Sequence, residues 1–261
     1  MDNPVKTKPL GMRIGESIFT LSYLIFAYTA GVLFLISAFK DQGIQGQRAY
    51  YLILALLCWI LAMGDSFHLI PRTIENVRGS LKNRYSVLGL GNLVSSITMT
   101  VFYVLLYFPV RFRIPNFIMV SHHMTFTIYR YGNVILAILI ILAIVRIVLC
   151  LLPFNNWFKE EGSFKWAIIR NIPFLLMGIL IVSFICYYYS HCAAHFSSFG
   201  FIPAGNMDRL RIFPASVILI TLSFLFYIPV ALFARRRPAL GMLMLPKTIC
   251  YILLILFWLI W

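Results

Sequence analysis

The sequence predicts an all-α fold: a polytopic membrane bundle of seven transmembrane helices, N-terminus cytoplasmic and C-terminus outside. Three observations predict it. Charged residues make up 11% of the chain and hydrophobic residues 61%, whereas a soluble domain carries about 25% charged residues. The mean hydropathy is +0.89. Apolar stretches of the roughly 20 residues that a bilayer crossing requires recur at 16–39, 49–71, 85–110, 133–152, 170–196, 212–234 and 239–261. They fill most of the chain, so 1–261 is read as a single seven-helix domain.

Each stretch has its own justification. The first follows Lys6, Lys8 and Arg13 and is longer than a signal-peptide core, so it is read as a retained helix. The second ends at Pro71-Arg72, and the third begins after the basic loop Arg78, Lys82, Arg84. Segment 114–128 is too short and too polar to cross, and is expected to lie at the outer interface or to re-enter. The fourth and fifth stretches flank the loop holding Lys159 and Lys165, and Pro173 is expected to kink the fifth. Pro214 suits the first turn of the sixth stretch, Pro229 lies inside it, and Pro238 suits the start of the seventh.

Basic residues set the orientation. Lys6, Lys8, Arg13, Arg72, Arg78, Lys82, Arg84, Lys159, Lys165, Arg170 and Arg235 to Arg237 fall on one side, and they outnumber those on the other. By the positive-inside rule that side is cytoplasmic. Tyr50, Tyr51, Tyr103, Tyr107, Tyr129, Tyr131 and Tyr187 to Tyr189 then fall towards the outer interface, where an aromatic belt is expected.

The net charge of +14 is carried by short loops beside the spans, as topology signals and phospholipid contacts require. No basic stripe with interleaved aromatics lies on a soluble element, so nucleic acid is excluded as a partner. The five cysteines, Cys58, Cys150, Cys186, Cys192 and Cys250, show no CxxC spacing and no disulfide framework.

Chemistry concentrates in the run Gly64-Asp65-Ser66-Phe67-His68-Leu69-Ile70-Pro71-Arg72. A carboxylate in hydrocarbon is costly and persists where it has a use, and aspartate is too short to reach the head groups. The i, i+3 spacing puts Asp65 and His68 on one helix face. Asn92 in the third helix, Arg146 in the fourth and Lys247 in the seventh reach a similar depth in the inner half of the bilayer. Lys247 lies about 13 Å from Pro238 at 1.5 Å per residue. A cytoplasm-facing polar cavity is therefore expected, with Asp65 and His68 catalytic and Asn92, Arg146, Lys247 and Arg72 binding substrate. Asp65 is expected to pair with Arg146, or alternatively with Lys247. Snorkelling of Arg146 and Lys247 to the head groups is the competing reading.

The other histidines, His122, His123, His191 and His195, fall on the opposite face. His191 and His195 are one helical turn apart, a spacing that suits a transition metal. Zinc at these four residues is the one cofactor expectation, with a bland interfacial role as its alternative. A retinal Schiff base on Lys247 would want a counterion, typically from helix three, which offers Asn92, Ser95, Ser96, Thr98 and Thr100 but no carboxylate.

Residues 49–110 carry Gly64-Asp65 near a helix end, a short loop, then Leu88-Gly89-Leu90-Gly91-Asn92. This stretch resembles the lysoplasmalogenase-type membrane hydrolases, which implies hydrolysis of a lipid. The second acidic residue that the family places in a later helix has no counterpart in any later span here.

Three functions follow. The first is a membrane enzyme acting on a lipid or amphiphile, hydrolase-like, with Asp65 as base or nucleophile and His68 as acid–base partner. The second is a proton- or ion-coupled transporter of a small solute using the same cavity. The third is a non-catalytic membrane subunit or sensor whose polar residues lock helices together. Expected partners are membrane lipids and a lipid-like or small anionic substrate. A bacterial plasma membrane and a eukaryotic endomembrane both fit the sequence.

Overall fold

The computed structural model of the chain describes residues 10–40, 47–79, 81, 83–113, 122–159, 162–198, 212–233 and 238–260. At 47, 122–129, 191–198, 238, 239 and 260 the description concerns the backbone alone. Among these residues the α-helices are α1 (Leu10–Lys40), α2 (Gln47–Arg78), α3 (Arg84–Leu105), α4 (Tyr107–Arg113), α5 (His122–Leu151), α6 (Phe164–Ser198), α7 (Ile212–Phe233) and α8 (Met244–Ile260). α3 and α4 act as one rod interrupted at Leu106, whose N–H still donates to the Phe102 carbonyl at 2.9 Å. Seven of the resulting helical rods are long and apolar enough to cross a membrane.

In hydrocarbon each helix end must find partners for its free backbone groups. Gly79, at φ +79°, closes α2, its N–H donating to the Glu75 carbonyl at 2.9 Å. The end of α5 is closed by Asn155, whose Nδ2 donates to the carbonyls of Leu149 (2.7 Å) and Leu152 (2.9 Å). Trp157 Nε1 takes the Cys150 carbonyl at 2.8 Å, and Arg170 donates to Asn155 Oδ1 at 2.8 Å. Arg170 therefore serves a helix end.

The spans form a closed ring in chain order. α1 packs on α2, α2 on α3, α3 on α5, α5 on α6, α6 on α7, α7 on α8, and α8 returns to α1. Outward faces are apolar: Ile14, Ile18, Leu21, Ile25 and Val32 of α1 are exposed, while Ser17, Thr20, Tyr23, Ala27, Ala30 and Gly31 turn inward. This inversion suits a lipid surround, where helices associate through small and polar residues. Gly91 shows the closeness required. A methyl group there would collide with the Phe67 carbonyl oxygen and come within 2.9 Å of His68 Cα, so only glycine lets α3 lie against the chemically loaded turn of α2.

Several expectations are corrected. α2 does not stop at 71; it runs through Pro71 to Arg78, so Asp65 and His68 sit further from its end than expected. Residues 122–128 form the first turns of α5, ahead of its membrane-length span, which begins at Arg130. Residues 114–121 lie outside the described residues. The tyrosines are not all a belt. Tyr103, Tyr107 and Tyr188 are fully buried, because ring closure turns them onto the axis, and Tyr131 and Tyr189 are exposed. Pro238 opens a 3-10 turn, Pro238–Leu243, ahead of α8.

Candidate functional site

The ring axis carries a polar core to which every span contributes. Asp65 of α2 is 7% exposed. Tyr23 of α1 donates its hydroxyl to Asp65 Oδ2 at 2.8 Å, and Ser95 of α3 reaches Oδ1 at 3.5 Å. A short bond from a phenol to a buried carboxylate is among the stronger side-chain hydrogen bonds, about 1.5–3 kcal/mol. Three further hydroxyls of α3, those of Ser96, Thr98 and Thr100, are satisfied within their own helix. Ser96 donates to the Asn92 carbonyl at 2.7 Å and Thr100 to that of Ser96 at 2.8 Å.

Lys247 of α8 is 4% exposed and lies within electrostatic reach of both Asp65 and Arg146. Its ammonium sits 5.0 Å from the Tyr227 ring centroid and 5.4 Å from that of Tyr251. Arg146 of α5 is 1% exposed, with its guanidinium 3.4 Å from the Phe174 ring centroid. Tyr227 of α7 and Cys150 stand in hydrogen-bonding reach of it. Both cations therefore lie deep in the bundle, and neither snorkels to the head groups. Around them Tyr103 meets Ser223 at 3.3 Å and Tyr251 at 3.4 Å, and Tyr227 donates to Asn171 at 3.2 Å.

The expected Asp65–Arg146 ion pair does not form: among the described residues no basic group comes within ion-pair distance of Asp65. The physical reason is that Arg146 lies against Phe174 of α6, while Asp65 takes its hydrogen bonds from Tyr23 of α1 and Ser95 of α3. Nor does a hydrogen bond join Asp65 to His68. His68 is partly buried, its Nδ1 is enclosed without a partner, and it lies within electrostatic reach of Arg72, Lys247 and Glu16. Asn92 is partly buried on the same side of α3 as Ser95 and Ser96. Arg72 binds Glu16 of α1, Nε to Oε1, at 2.7 Å.

A cleft of about 250 Å³ lies between α1, α2 and the start of α8. Met12, Phe19, Leu69, Met242 and Leu245 make it apolar, the Glu16–Arg72 pair and Thr248 add polar groups, and Tyr23 forms its inner wall. Met12 and Met242 are exposed at its rim. Tyr23 thus separates the cleft from Asp65 by one hydrogen bond.

Tyr23, Ser95, Phe174, Tyr227, Tyr251 and Glu16 escaped the sequence reading. The signal for Tyr23 was there: Ser17, Thr20, Tyr23, Ala27 and Gly31 form a small-and-polar stripe at helical spacing in an otherwise aliphatic α1. His122, His123, His191 and His195 fall in helical backbone, at the start of α5 and the end of α6, which Tyr131 and Tyr187 (ring centroids 4.4 Å apart) place at one end of the ring. Their side chains lie outside the described residues. Among the described residues no cluster of three His, Cys, Asp or Glu is placed to hold a metal ion. Compared with protein-family models, with curated proteins and with solved structures, the chain matches none.

Proposed function

We propose that this protein is a membrane-embedded enzyme acting on a lipid or other amphiphile, with Asp65 as the reacting carboxylate. The observation that carries the reading is the apolar cleft whose inner wall, Tyr23, is itself the hydrogen-bond donor to a buried Asp65. An acyl or alkyl tail suits Met12, Phe19, Leu69 and Leu245, and the polar end of such a molecule meets Tyr23 first. Rotation of the Tyr23 hydroxyl frees Asp65 Oδ2 to accept a proton from the ligand or from water. Lys247, in reach of Asp65, offsets negative charge that develops beside it. In this reading the cleft opens to the cytoplasmic leaflet, with the N-terminus cytoplasmic as the basic loops indicate.

The test compares wild type with Asp65→Asn, both purified in detergent and incubated with extracted membrane lipids, with products identified by mass spectrometry. Loss of a lipid product in a variant that accumulates and unfolds normally supports the enzyme. A product formed equally by the variant, or none formed by wild type, refutes it. Coupled transport through the same core is the second reading, favoured by the run of charged groups from Asp65 through Lys247 to Arg146. Solute flux in proteoliposomes that Asp65→Asn abolishes, without lipid turnover, would establish it instead.

A further inference from the structure

Arg146 is always protonated, because its guanidinium does not lose a proton in proteins. It is 1% exposed, yet its Nε and Nη1 have no hydrogen-bond partner. Phe174 covers one face of the guanidinium at 3.4 Å, a contact that offsets only part of the desolvation of a buried cation. Lys247 is nearly as deep, and its neighbours are rings. The two cations lie within electrostatic reach of each other, and among the described residues the one carboxylate in reach of Lys247 is Asp65. Two other carboxylates, Glu16 and Glu75, are engaged with Arg72 and Arg84. Among the described residues one carboxylate thus stands against two buried cations, and the Nε and Nη1 donors of Arg146 remain open in a setting where unmade hydrogen bonds are expensive.

We infer that Arg146 and Lys247 form an anion site that takes an oxoanion carrying one negative charge, a phosphodiester or a carboxylate. Arg146 supplies the directed N–H donors, and Lys247 supplies a compact charge. The excess of one positive charge in the core matches a monoanion. The inference rests on the amphiphile reading for the source of that anion, a lipid head group, while the anion site itself stands on Arg146 and Lys247 alone.

The experiment measures binding to the detergent-solubilised full chain by thermal shift and calorimetry. The probes are short-chain phosphatidylglycerol, the uncharged diacylglycerol with the same chains, laurate and inorganic phosphate. The expected result is that phosphatidylglycerol and laurate bind at least about tenfold more tightly than the diacylglycerol, as a charge-assisted contact predicts. Arg146→Met removes that preference. Inorganic phosphate that binds as tightly as phosphatidylglycerol upholds the anion site and overturns the lipid as its source. Equal binding of phosphatidylglycerol and diacylglycerol by wild type overturns the inference, whether or not any variant folds. Asp65→Asn keeps the preference for the charged probes. If Asp65→Asn also leaves lipid turnover intact, the enzyme reading fails while the anion site survives.

Discussion

Removing the hydroxyl that holds Asp65 tests the polar core most directly. Tyr23 and Asp65 are both buried, and the Tyr23 hydroxyl stands 2.8 Å from Oδ2. The second contact, from Ser95, is long at 3.5 Å, so Tyr23→Phe leaves the carboxylate with little else. A hydrogen bond to a charged group is worth about 1.5–3 kcal/mol and one to a neutral group about 0.5–1.5 kcal/mol. Tyr23→Phe is therefore expected to destabilise the wild-type protein by about 2 kcal/mol, but only by about 1 kcal/mol in an Asp65→Asn background. The assay is equilibrium unfolding of the four proteins of that cycle in mixed micelles, followed by tryptophan fluorescence. Equal losses in both backgrounds would refute the reasoning, because Asp65 would then not act as a charged acceptor. A gain in stability on Tyr23→Phe would refute the hydrogen bond itself.

Gly91→Ala should destabilise the protein by about 1–3 kcal/mol through overpacking, since the added methyl meets the backbone of α2 at Phe67 and His68. Gly15→Ala, where nothing lies within 4 Å, should be neutral or stabilising by up to about 1 kcal/mol; equal melting temperatures for the two would deny the close α2–α3 approach. Arg146→Met should unfold no more easily than wild type, and by up to about 1–4 kcal/mol less easily, because an apolar side chain removes a buried charge that lacks an ionic partner. A large loss of stability would make Arg146 a structural strut. Gly241→Trp, built at the cleft rim with only Arg72 nearby at 3.8 Å, should abolish lipid turnover while far-ultraviolet circular dichroism stays that of wild type; retained turnover would place the ligand elsewhere.

What could be read without coordinates was what hydrocarbon demands of any chain. Seven apolar stretches must be helices, because no other spanning structure within one segment satisfies its own backbone, and all seven appear. Asp65, Arg146 and Lys247 were legible as residues that a membrane tolerates only inside a bundle, and all three are buried. Boundaries were less legible: α2 continues through Pro71, because proline within a helix can be accommodated by its neighbours, and the charged Arg72 finds Glu16 across on α1. Which charge meets which depended on the ring. Closure of α8 on α1 sets Lys247 beside Asp65, and the place of α5 between α3 and α6 leaves Arg146 on Phe174. The same closure turns Tyr103, Tyr107 and Tyr188 from apparent interfacial residues into the walls of a core. Sequence determines how costly each charge is in the membrane, since that depends on residue type and depth. Tertiary structure alone decides its partners, since those are contributed by other helices, as Tyr23 is for Asp65 and Phe174 for Arg146.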